Sequence, residues 1–241
     1  MKLSVISTGS KGNAYVLTGE HCALLLDCGV PFKRILPYIE KEICGCLITH
    51  EHGDHASGAN DVAKRGIDIY ASNGTLSAIG VLAKKPITSK WRYDIGEFTV
   101  LPFDVEHDAK EPFGYMIKHK LSGETFVYAT DTYYLKYRFP KINYWLVECN
   151  YVDDMMNTMM VDGEITVELR NRLKTSHMSL DHLKGTLKAN DMTETRKVII
   201  CHLSDTRSDE ARMVRELSEV VNCDVVAAHD GDTIELTLCP F

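Results

Sequence analysis

The residues best suited to chemistry lie in one short segment, THEHGDH at positions 49–55. Three imidazoles and two carboxylates fall within six residues, directly after the apolar stretch Cys44–Ile48. Imidazole nitrogen and carboxylate oxygen are ligands that divalent zinc, manganese and iron accept. On a loop that leaves a strand, the first two histidines can point to one ion, and Asp54 with His55 to a second. The segment therefore predicts a site for two metal ions.

The HxHxDH pattern of this segment resembles the signature of metallo-β-lactamase-fold hydrolases, and four further motifs appear in that family's order. They are Leu26-Asp27-Cys28-Gly29, Val105-Glu106-His107, Ala129-Thr130-Asp131-Thr132 and Ile200-Cys201-His202-Leu203-Ser204. Five ordered matches cover nearly the whole chain and are hard to obtain by chance. The resemblance implies an α/β fold, the four-layer αβ/βα sandwich in which two central mixed β-sheets are flanked by helices.

The resemblance also implies how the ligands are shared between the metals. One ion would be held by His50, His52 and His107, the second by Asp54, His55 and His202, with Asp131 bridging them. Asp27 would support the metal loop without binding an ion. Taken alone, His107 and His202 could be surface or core histidines, and Asp131 could cap the following turn. Their order along the chain favours the metal role.

This ligand set implies hydrolysis by a hydroxide that bridges two divalent ions. Two ions about 3.5–4 Å apart can deprotonate a shared water near neutral pH and stabilise charge on a phosphoryl oxygen. The expected cofactors are two zinc, manganese or iron ions, since His and Asp ligands accept each of these metals. Loss of Asp54 should remove the second ion and most activity.

Three features narrow the class of substrate. Asp131 stands where true β-lactamases often have cysteine, which favours phosphodiester or thioester substrates over β-lactams. The loop STGSKGN at 7–13 resembles the opening of the YycJ/WalJ-like nuclease group. Its glycines let backbone N–H groups approach an anion, and the expected phosphate contacts are Ser7, Ser10, Lys11 and Asn13. The alternative for this loop is a tight β-turn without a ligand.

A third feature is the repeated His-x-Ser pattern at 177–179 and 202–204. In the nuclease branches of the family, a comparable first histidine lies near the scissile phosphate, oriented by an acidic residue at a strand end. Here these residues would be His177 and Glu148. His177 would stabilise the phosphoryl oxygens or protonate the leaving group. A serine beside it also suits the N-cap of the next helix, and the two roles are compatible.

These features predict a metal-dependent phosphodiesterase that acts on nucleic acid, 5′-exonuclease-like on DNA. The alternative is a small-molecule hydrolase for a cyclic phosphodiester, lactone or thioester, which the net charge of −7 favours. That charge also argues against a simple non-specific DNA-binding module, which is usually basic. A third class, a metal-binding protein without hydrolysis, fits a complete ligand set least well.

Strand-like and helix-like stretches alternate throughout the chain and must position these residues. Strands are expected at 2–7, 14–18, 22–27, 43–48, 67–71, 97–105, 113–119, 125–130, 143–149, 196–201, 223–228 and 232–238. Helices are expected at 31–41, 57–65, 73–83, 164–173, 179–190 and 208–220, and an irregular segment at 153–163. With 241 residues and neither repeats nor a linker, we expect a single domain, 1–241.

The sequence gives no sign of a membrane or export signal. No apolar stretch approaches the roughly 20 residues of a membrane span, and the N-terminal MKLSVISTGS lacks the apolar core of a secretory signal. We therefore expect a cytoplasmic protein with no membrane partner. Seven of the eight cysteines lie in or beside apolar strand-like stretches and are expected to be reduced, buried thiols.

Three segments allow more than one interpretation. Residues 155–160, rich in methionine, could form a lid, a partner surface or ordinary packing. His229 could be a pocket residue, although a turn residue is favoured. Tyr133–Arg138 follows Asp131 and offers tyrosines for stacking on bases and cations for phosphates. The alternative for that segment is a solvated, partly packed short helix.

Overall fold

Short apolar stretches build the strands from which the predicted site residues emerge. The computed structural model describes residues 1–236. In this range the strands are β1 (Lys2–Ser7), β2 (Ala14–Thr18), β3 (Cys22–Leu26), β4 (Glu42–Leu47), β5 (Ile69–Ala71), β6 (Lys84–Pro86), β7 (Tyr93–Ile95), β8 (Phe98–Asp104), β9 (Phe113–His119), β10 (Thr125–Ala129), β11 (Tyr144–Glu148), β12 (Lys197–Cys201), β13 (Asp224–Ala227) and β14 (Thr233–Glu235). The helices are α1 (Phe32–Ile35), α2 (Gly53–Ala56), α3 (Ala59–Ala63), α4 (Asn73–Ile79), α5 (Asp153–Val161), α6 (Val167–Ser176), α7 (Leu180–Ala189) and α8 (Glu210–Ser218).

The strands form two mixed sheets of seven strands each, flanked by helices, which confirms the predicted fold class. Internal contacts divide the chain into two compact units. The first comprises Met1–Asp104, Ala109–Glu124 and the chain from Ala228, and the second comprises Val105–Asp108 and Thr125–Ala227. That these units form one domain, as the sequence predicts, stays a prediction.

The first unit contains the sheet from which the metal segment leaves. Its strands lie in the order β14-β1-β2-β3-β4-β5-β6, antiparallel from β14 to β3 and parallel from β3 to β6. One face packs on α1, α3 and α4 through a buried apolar cluster that includes Leu25, Phe32, Val62 and Leu76. Strands β7, β8 and β9 form an antiparallel meander in the same unit. Tyr115 on β9 donates a hydrogen bond of 2.5 Å to the carbonyl of Ile48, at the start of the metal segment.

The second unit is built on four parallel strands in the order β13-β12-β11-β10. Parallel strands are usually buried on both faces, and β11 is buried at every residue. The carboxyl ends of parallel strands meet at the same edge of a sheet, which is where α/β proteins place their sites. Asp131, Glu148 and His202 all lie at this edge, at or just beyond the ends of β10, β11 and β12.

The prediction of an irregular segment at 153–163 is wrong, because Asp153–Val161 forms helix α5. Met156, Met159 and Met160 recur at helical spacing and pack against Tyr151 in a small apolar cluster. Asp153 and the next residue lie in the first turn, where acidic side chains favour a helix. Of the three interpretations of residues 155–160, ordinary packing therefore explains Met156, Met159 and Met160.

Other differences from the predicted elements are smaller. The short strands β6 and β7 were not predicted, because three residues are too few to show the alternating pattern of a strand. Two predicted helices are shorter in the structure. The helix predicted at 31–41 is α1 followed by a 3-10 turn at Leu36–Tyr38, and the helix predicted at 73–83 is α4. Tyr133–Arg138 forms neither helix nor strand, so the short-helix alternative is wrong. Residues 237 and 238 of the strand predicted at 232–238 lie outside the described residues.

Two further expectations can be compared with the structure over residues 1–236. No helix in this range is long and apolar enough to cross a membrane. The seven cysteines in the range are free thiols, and Cys28, Cys46, Cys149 and Cys201 are buried. His229 lies in the turn between β13 and β14, where its backbone N–H donates to Asp232 over 2.9 Å.

Gly29 allows the metal segment to approach the end of β3. A Cβ atom at Gly29 would lie 1.7 Å from the carbonyl oxygen of Asp54. We expect Gly29→Ala to displace the metal segment, lower the free energy of unfolding by about 1–3 kcal/mol, and reduce the bound metal. Gly53→Ala is the matched control, since a Cβ there meets nothing within 4 Å. Denaturant unfolding and metal analysis of both variants test this, and unchanged stability in Gly29→Ala would contradict it.

Candidate metal centre

In the first unit, the metal segment brings two pairs of ligand atoms together. His50 Nε2 lies 3.0 Å from His52 Nδ1. The turn into helix α2 then brings Asp54 Oδ2 to 3.7 Å from His55 Nε2. His50 and His55 are buried. The sequence predicted this division, in which the first two histidines and the last two residues of HxHxDH form separate pairs.

Asp27 holds this segment in place from the end of β3. Its carboxylate is fully buried and accepts hydrogen bonds from the backbone N–H of Thr49 at 2.7 Å and the hydroxyl of Thr49 at 2.9 Å. The same carboxylate lies 2.7 Å from His55 Nδ1. An Nδ1–H that donates to Asp27 leaves the Nε2 lone pair of His55 for a metal ion. The contacts support the predicted role of Asp27, which is to orient a ligand rather than to be one.

The predicted phosphate loop at 7–13 is a tight turn held by its own side chains. Asn13 is buried, accepts from the N–H of Gly9 at 2.9 Å and donates to the Gly9 carbonyl at 3.1 Å. Its amide nitrogen also lies 3.0 Å from His55 Nε2. Ser7 is buried and donates to Asp230 over 3.1 Å. The phosphate roles of these residues stay predictions, and in the structure the polar atoms of Ser7 and Asn13 contact other groups of the protein.

Two members of this loop do face solvent. Ser10 and Lys11 are exposed at its tip. Gly12 next to them has a positive φ of 144°, and a Cβ there would lie 2.7 Å from the carbonyl oxygen of Gly29. The tip is therefore a strained turn that only glycine fits, and it presents one hydroxyl and one ammonium group outward.

In the second unit, Asp131 lies between two of the predicted histidine ligands. Its Oδ2 is 3.7 Å from His107 Nε2, and its Oδ1 is 3.4 Å from His202 Nε2. One carboxylate thus offers a separate oxygen to each ring. The predicted bridging role requires this arrangement, and the sequence placed all three residues in it from motif order alone.

Glu148 is the hub of the second unit's polar cluster. This buried carboxylate lies 2.6 Å from His177 Nδ1 and 3.1 Å from His202 Nδ1, and it accepts from the backbone N–H groups of Thr132 and Met178 at 3.1 Å each. Burial acts to raise the pKa of Glu148, but the charge and hydrogen bonds of the histidines outweigh it, so the pKa is lowered. Glu148 therefore remains a carboxylate that anchors two imidazoles.

His107 and His177 differ in how their environments affect their protonation. Burial lowers the pKa of His107 despite the nearby Asp131 carboxylate, which suits a neutral metal ligand. Burial also acts to lower the pKa of His177, but the charge of Glu148 and its hydrogen bond outweigh this and raise it. His177 is therefore better able than His107 to carry and donate a proton. Its ring stacks on His202, with centroids 5.4 Å apart.

Three supporting residues escaped the sequence analysis. The Ser176 carbonyl lies 3.0 Å from His107 Nδ1, and the Thr49 hydroxyl lies 3.0 Å from His50 Nδ1. The Asn150 amide donates to the carbonyl of His202 at 2.8 Å. The role of a backbone carbonyl cannot be recognised from sequence. Asn150 could have been recognised, because it is a polar residue just beyond the end of the buried strand β11.

The donor set suits divalent metal ions. Within the second unit, Asp131, Glu148, His177 and His202 each offer a ligand atom, and these atoms lie within 4.8 Å of one another. In the first unit the two pairs in the metal segment contribute three imidazoles and a carboxylate. Imidazole and carboxylate groups that converge in this way match the ligands of zinc, manganese and iron.

The Asp27 contacts give a test of how the metal segment is held. We expect Asp27→Asn to lower metal affinity by about 10- to 100-fold, because an amide cannot accept from both Thr49 and His55. Competition with a chromogenic chelator measures the affinity, and circular dichroism checks the fold. Asp61→Asn, on the exposed side of α3, is the control for a lost carboxylate. Equal metal affinity in Asp27→Asn and Asp61→Asn would rule out the anchoring role.

Comparison with known proteins agrees with this geometry. The family model described as a β-lactamase superfamily domain matches residues 23–203. Exodeoxyribonuclease WalJ of Streptococcus pneumoniae is 27% identical, with 95% of this chain and 89% of the relative covered. Exodeoxyribonuclease YycJ of Bacillus anthracis is 25% identical over 85% of this chain and 83% of the relative.

A solved structure shows the same fold. The metallo-β-lactamase fold protein YhfI from Bacillus subtilis superposes with a TM-score of 0.75 at 18% identity, covering 97% of this chain and 99% of that chain. The sequence resemblance to the metallo-β-lactamase fold and to the YycJ/WalJ-like group is thereby confirmed. Because the family model matches three quarters of the sequence, the chain belongs to the β-lactamase superfamily.

Proposed function

We propose that this protein is a metal-dependent phosphodiesterase that removes nucleotides from DNA, as a 5′-exonuclease. The observation that carries the proposal is the His177–Glu148 pair beside Asp131, with ligand atoms within 4.8 Å of one another. In this pair, an imidazole whose pKa is raised by Glu148 lies close to the predicted bridging carboxylate. Two relatives named exodeoxyribonucleases, which match 95% and 85% of this chain, support the same activity.

The proposed cofactors are two divalent ions, with zinc, manganese or iron as the metal. One ion is assigned to His50, His52 and His107, the other to Asp54, His55 and His202, and Asp131 to both. Bound there, the ions would lower the pKa of a coordinated water and offset charge on the phosphoryl oxygens. The assignment rests on motif order and on the paired ligand atoms within each unit, and it treats residues 1–241 as one working domain.

The chain's own residues then act on the phosphodiester. His177 lies with Nδ1 2.6 Å from Glu148, and in this proposal its Nε2–H donates a proton to the leaving oxygen or a hydrogen bond to a phosphoryl oxygen. Ser10 and Lys11 at the exposed loop tip are the proposed outer phosphate contacts. Ser7 and Asn13, for which the sequence predicts direct phosphate contacts, are proposed instead to hold the conformation of this loop through their hydrogen bonds.

A small-molecule hydrolase of the same fold is the second candidate. The net charge of −7 favours it, because a polyanionic substrate is repelled by an acidic surface. A panel of chromogenic phosphodiesters, lactones and thioesters compared with DNA distinguishes the two. We place either activity in the cytoplasm, where the free thiols of the described residues stay reduced.

The first test is release of nucleotides from a 5′-labelled DNA duplex with added manganese. We expect stepwise release by the wild type, and loss of at least about 100-fold in rate for Asp54→Ala, since Asp54 offers a ligand for the second ion. Circular dichroism should show that Asp54→Ala folds. Absence of release by wild-type protein that binds two metals would overturn the nuclease proposal and favour the small-molecule alternative.

The role of His177 is tested separately from metal binding. We expect His177→Ala to retain its metals and to lower turnover by about 10²- to 10⁴-fold, as for loss of a general acid. His21→Ala, an exposed histidine in the β2–β3 turn, is the control. Metal loss in His177→Ala would instead identify His177 as a ligand, and full activity would remove it from the mechanism.

A further inference from the structure

A groove in the second unit adjoins the elements that carry Asp131 and His177. Its volume is about 320 Å³. One wall is the segment 134–138, which begins three residues after Asp131. The opposite wall is α7, which begins three residues after His177. Both walls are therefore continuous, along the chain, with residues of the proposed site.

The two walls of the groove are fixed to each other. His182 Nδ1 on α7 lies 3.0 Å from the carbonyl oxygen of Tyr133, where the segment begins. At its other end, the backbone N–H of Phe139 donates to Asn190 Oδ1 over 2.7 Å. Because both ends are tied, the groove has a preset width and its occupant need not order the walls.

The lining of the groove has a positive balance of charge. Asp181 is paired with Lys184 at 2.8 Å, and Lys136 is paired with Glu106 at 3.0 Å. Arg138 is exposed and makes no ion pair within residues 1–236. The lining thus carries two cations, Lys136 and Arg138, and one carboxylate, Asp181, and the guanidinium group of Arg138 can bind an anion.

Aromatic rings complete the wall that carries Arg138. Tyr134 is half exposed, with 50% of its surface accessible, and Tyr137 is partly exposed. A tyrosine ring beside a cation is the usual platform for a nucleic-acid base, and stacking on it tolerates any base. The sequence allowed this role for Tyr133–Arg138, and the structure adds a groove with an opposite wall.

Gly185 forms part of that opposite wall. It lies in the middle of α7, where glycine is less favourable than alanine. A Cβ at Gly185 would meet nothing within 4 Å, so no neighbouring group of the described residues requires the glycine. Its absence of a side chain instead keeps the wall of the groove low and open to a ligand.

We propose that this groove binds one nucleotide of the DNA strand next to the scissile phosphate. The base would stack on Tyr134 and Tyr137, the phosphate would pair with Arg138, and the sugar would lie over Gly185. A volume of 320 Å³ is at the lower end for ligand pockets, about 300–1,000 Å³, and suits a single nucleotide. The inference rests on the proposed function, because it names a subsite of that same site.

Two variants, with three measurements on each, test the subsite. Gly185→Leu fills the groove and Arg138→Ala removes its cation, while Lys188→Ala removes an equal charge from α7 outside the lining. The measurements are kcat/KM for a 5′-labelled oligonucleotide, kcat/KM for bis-p-nitrophenyl phosphate, and calorimetric binding of unlabelled hexadeoxyadenylate to full-length protein carrying Asp54→Ala. Thermal unfolding checks that each variant folds.

We expect the ratio of oligonucleotide to small-ester kcat/KM to fall about 10-fold in Gly185→Leu and Arg138→Ala, and hexadeoxyadenylate binding to weaken equally. Lys188→Ala should change both by less than twofold. If DNA is cleaved but neither variant changes the ratio or the binding, the subsite is wrong and the proposed function stands. If the wild type does not cleave DNA, binding decides: weaker binding in both variants supports the groove, and equal binding overturns it.

Discussion

The candidate site depends on how three of the predicted histidine ligands, His55, His107 and His202, are held by their Nδ1 atoms. An oxygen lies 2.7 Å from this atom in His55, 3.0 Å in His107 and 3.1 Å in His202. The oxygens belong to Asp27, the carbonyl of Ser176 and Glu148. A proton on Nδ1 leaves the Nε2 lone pair directed outward, which is the tautomer that a metal ion requires. Much of the fold around the site can therefore be understood as placing these three oxygens.

Placing them requires an unfavourable backbone at the strand ends. Asp27, Asp131 and His202 adopt positive φ angles of 54°, 48° and 53°, which cost non-glycine residues roughly 1–2 kcal/mol each. Each follows a strand whose side chains are almost all buried, and this burial offsets the cost. The sharp turn redirects each side chain from the strand toward the polar contacts of its own unit. Three of the five non-glycine residues with positive φ in the described part of the chain are thus residues that the motifs single out.

The sequence predicts the contacts between residues that are close along the chain better than the contacts between residues that are far apart along it. HxHxDH follows a buried strand, so both the strand and the paired ligands were predictable from local pattern. Helix α5 was missed because its apolar face, Met156 to Met160, is short and its partner Tyr151 lies outside it. The Ser176 carbonyl and the groove at Gly185 were not predictable, because both depend on how α6 and α7 pack against distant loops. A residue's type signals chemistry, but its partner is set by tertiary structure.

The acidic net charge and a DNA substrate are compatible if recognition is local. At physiological salt, charges further than about 8 Å from the substrate are largely screened, and several carboxylates are already paired, as Glu216 is with Lys184 at 2.8 Å and Arg212 at 2.6 Å. In the proposed subsite, the substrate would meet the exposed Arg138 and the tyrosine rings of the groove. Because the groove offers few cations and two tyrosine rings, the affinity for DNA would come from contact with a single strand end rather than from long-range attraction to a duplex. That balance suits an enzyme that acts at ends, because an acidic surface disfavours non-specific binding along the duplex.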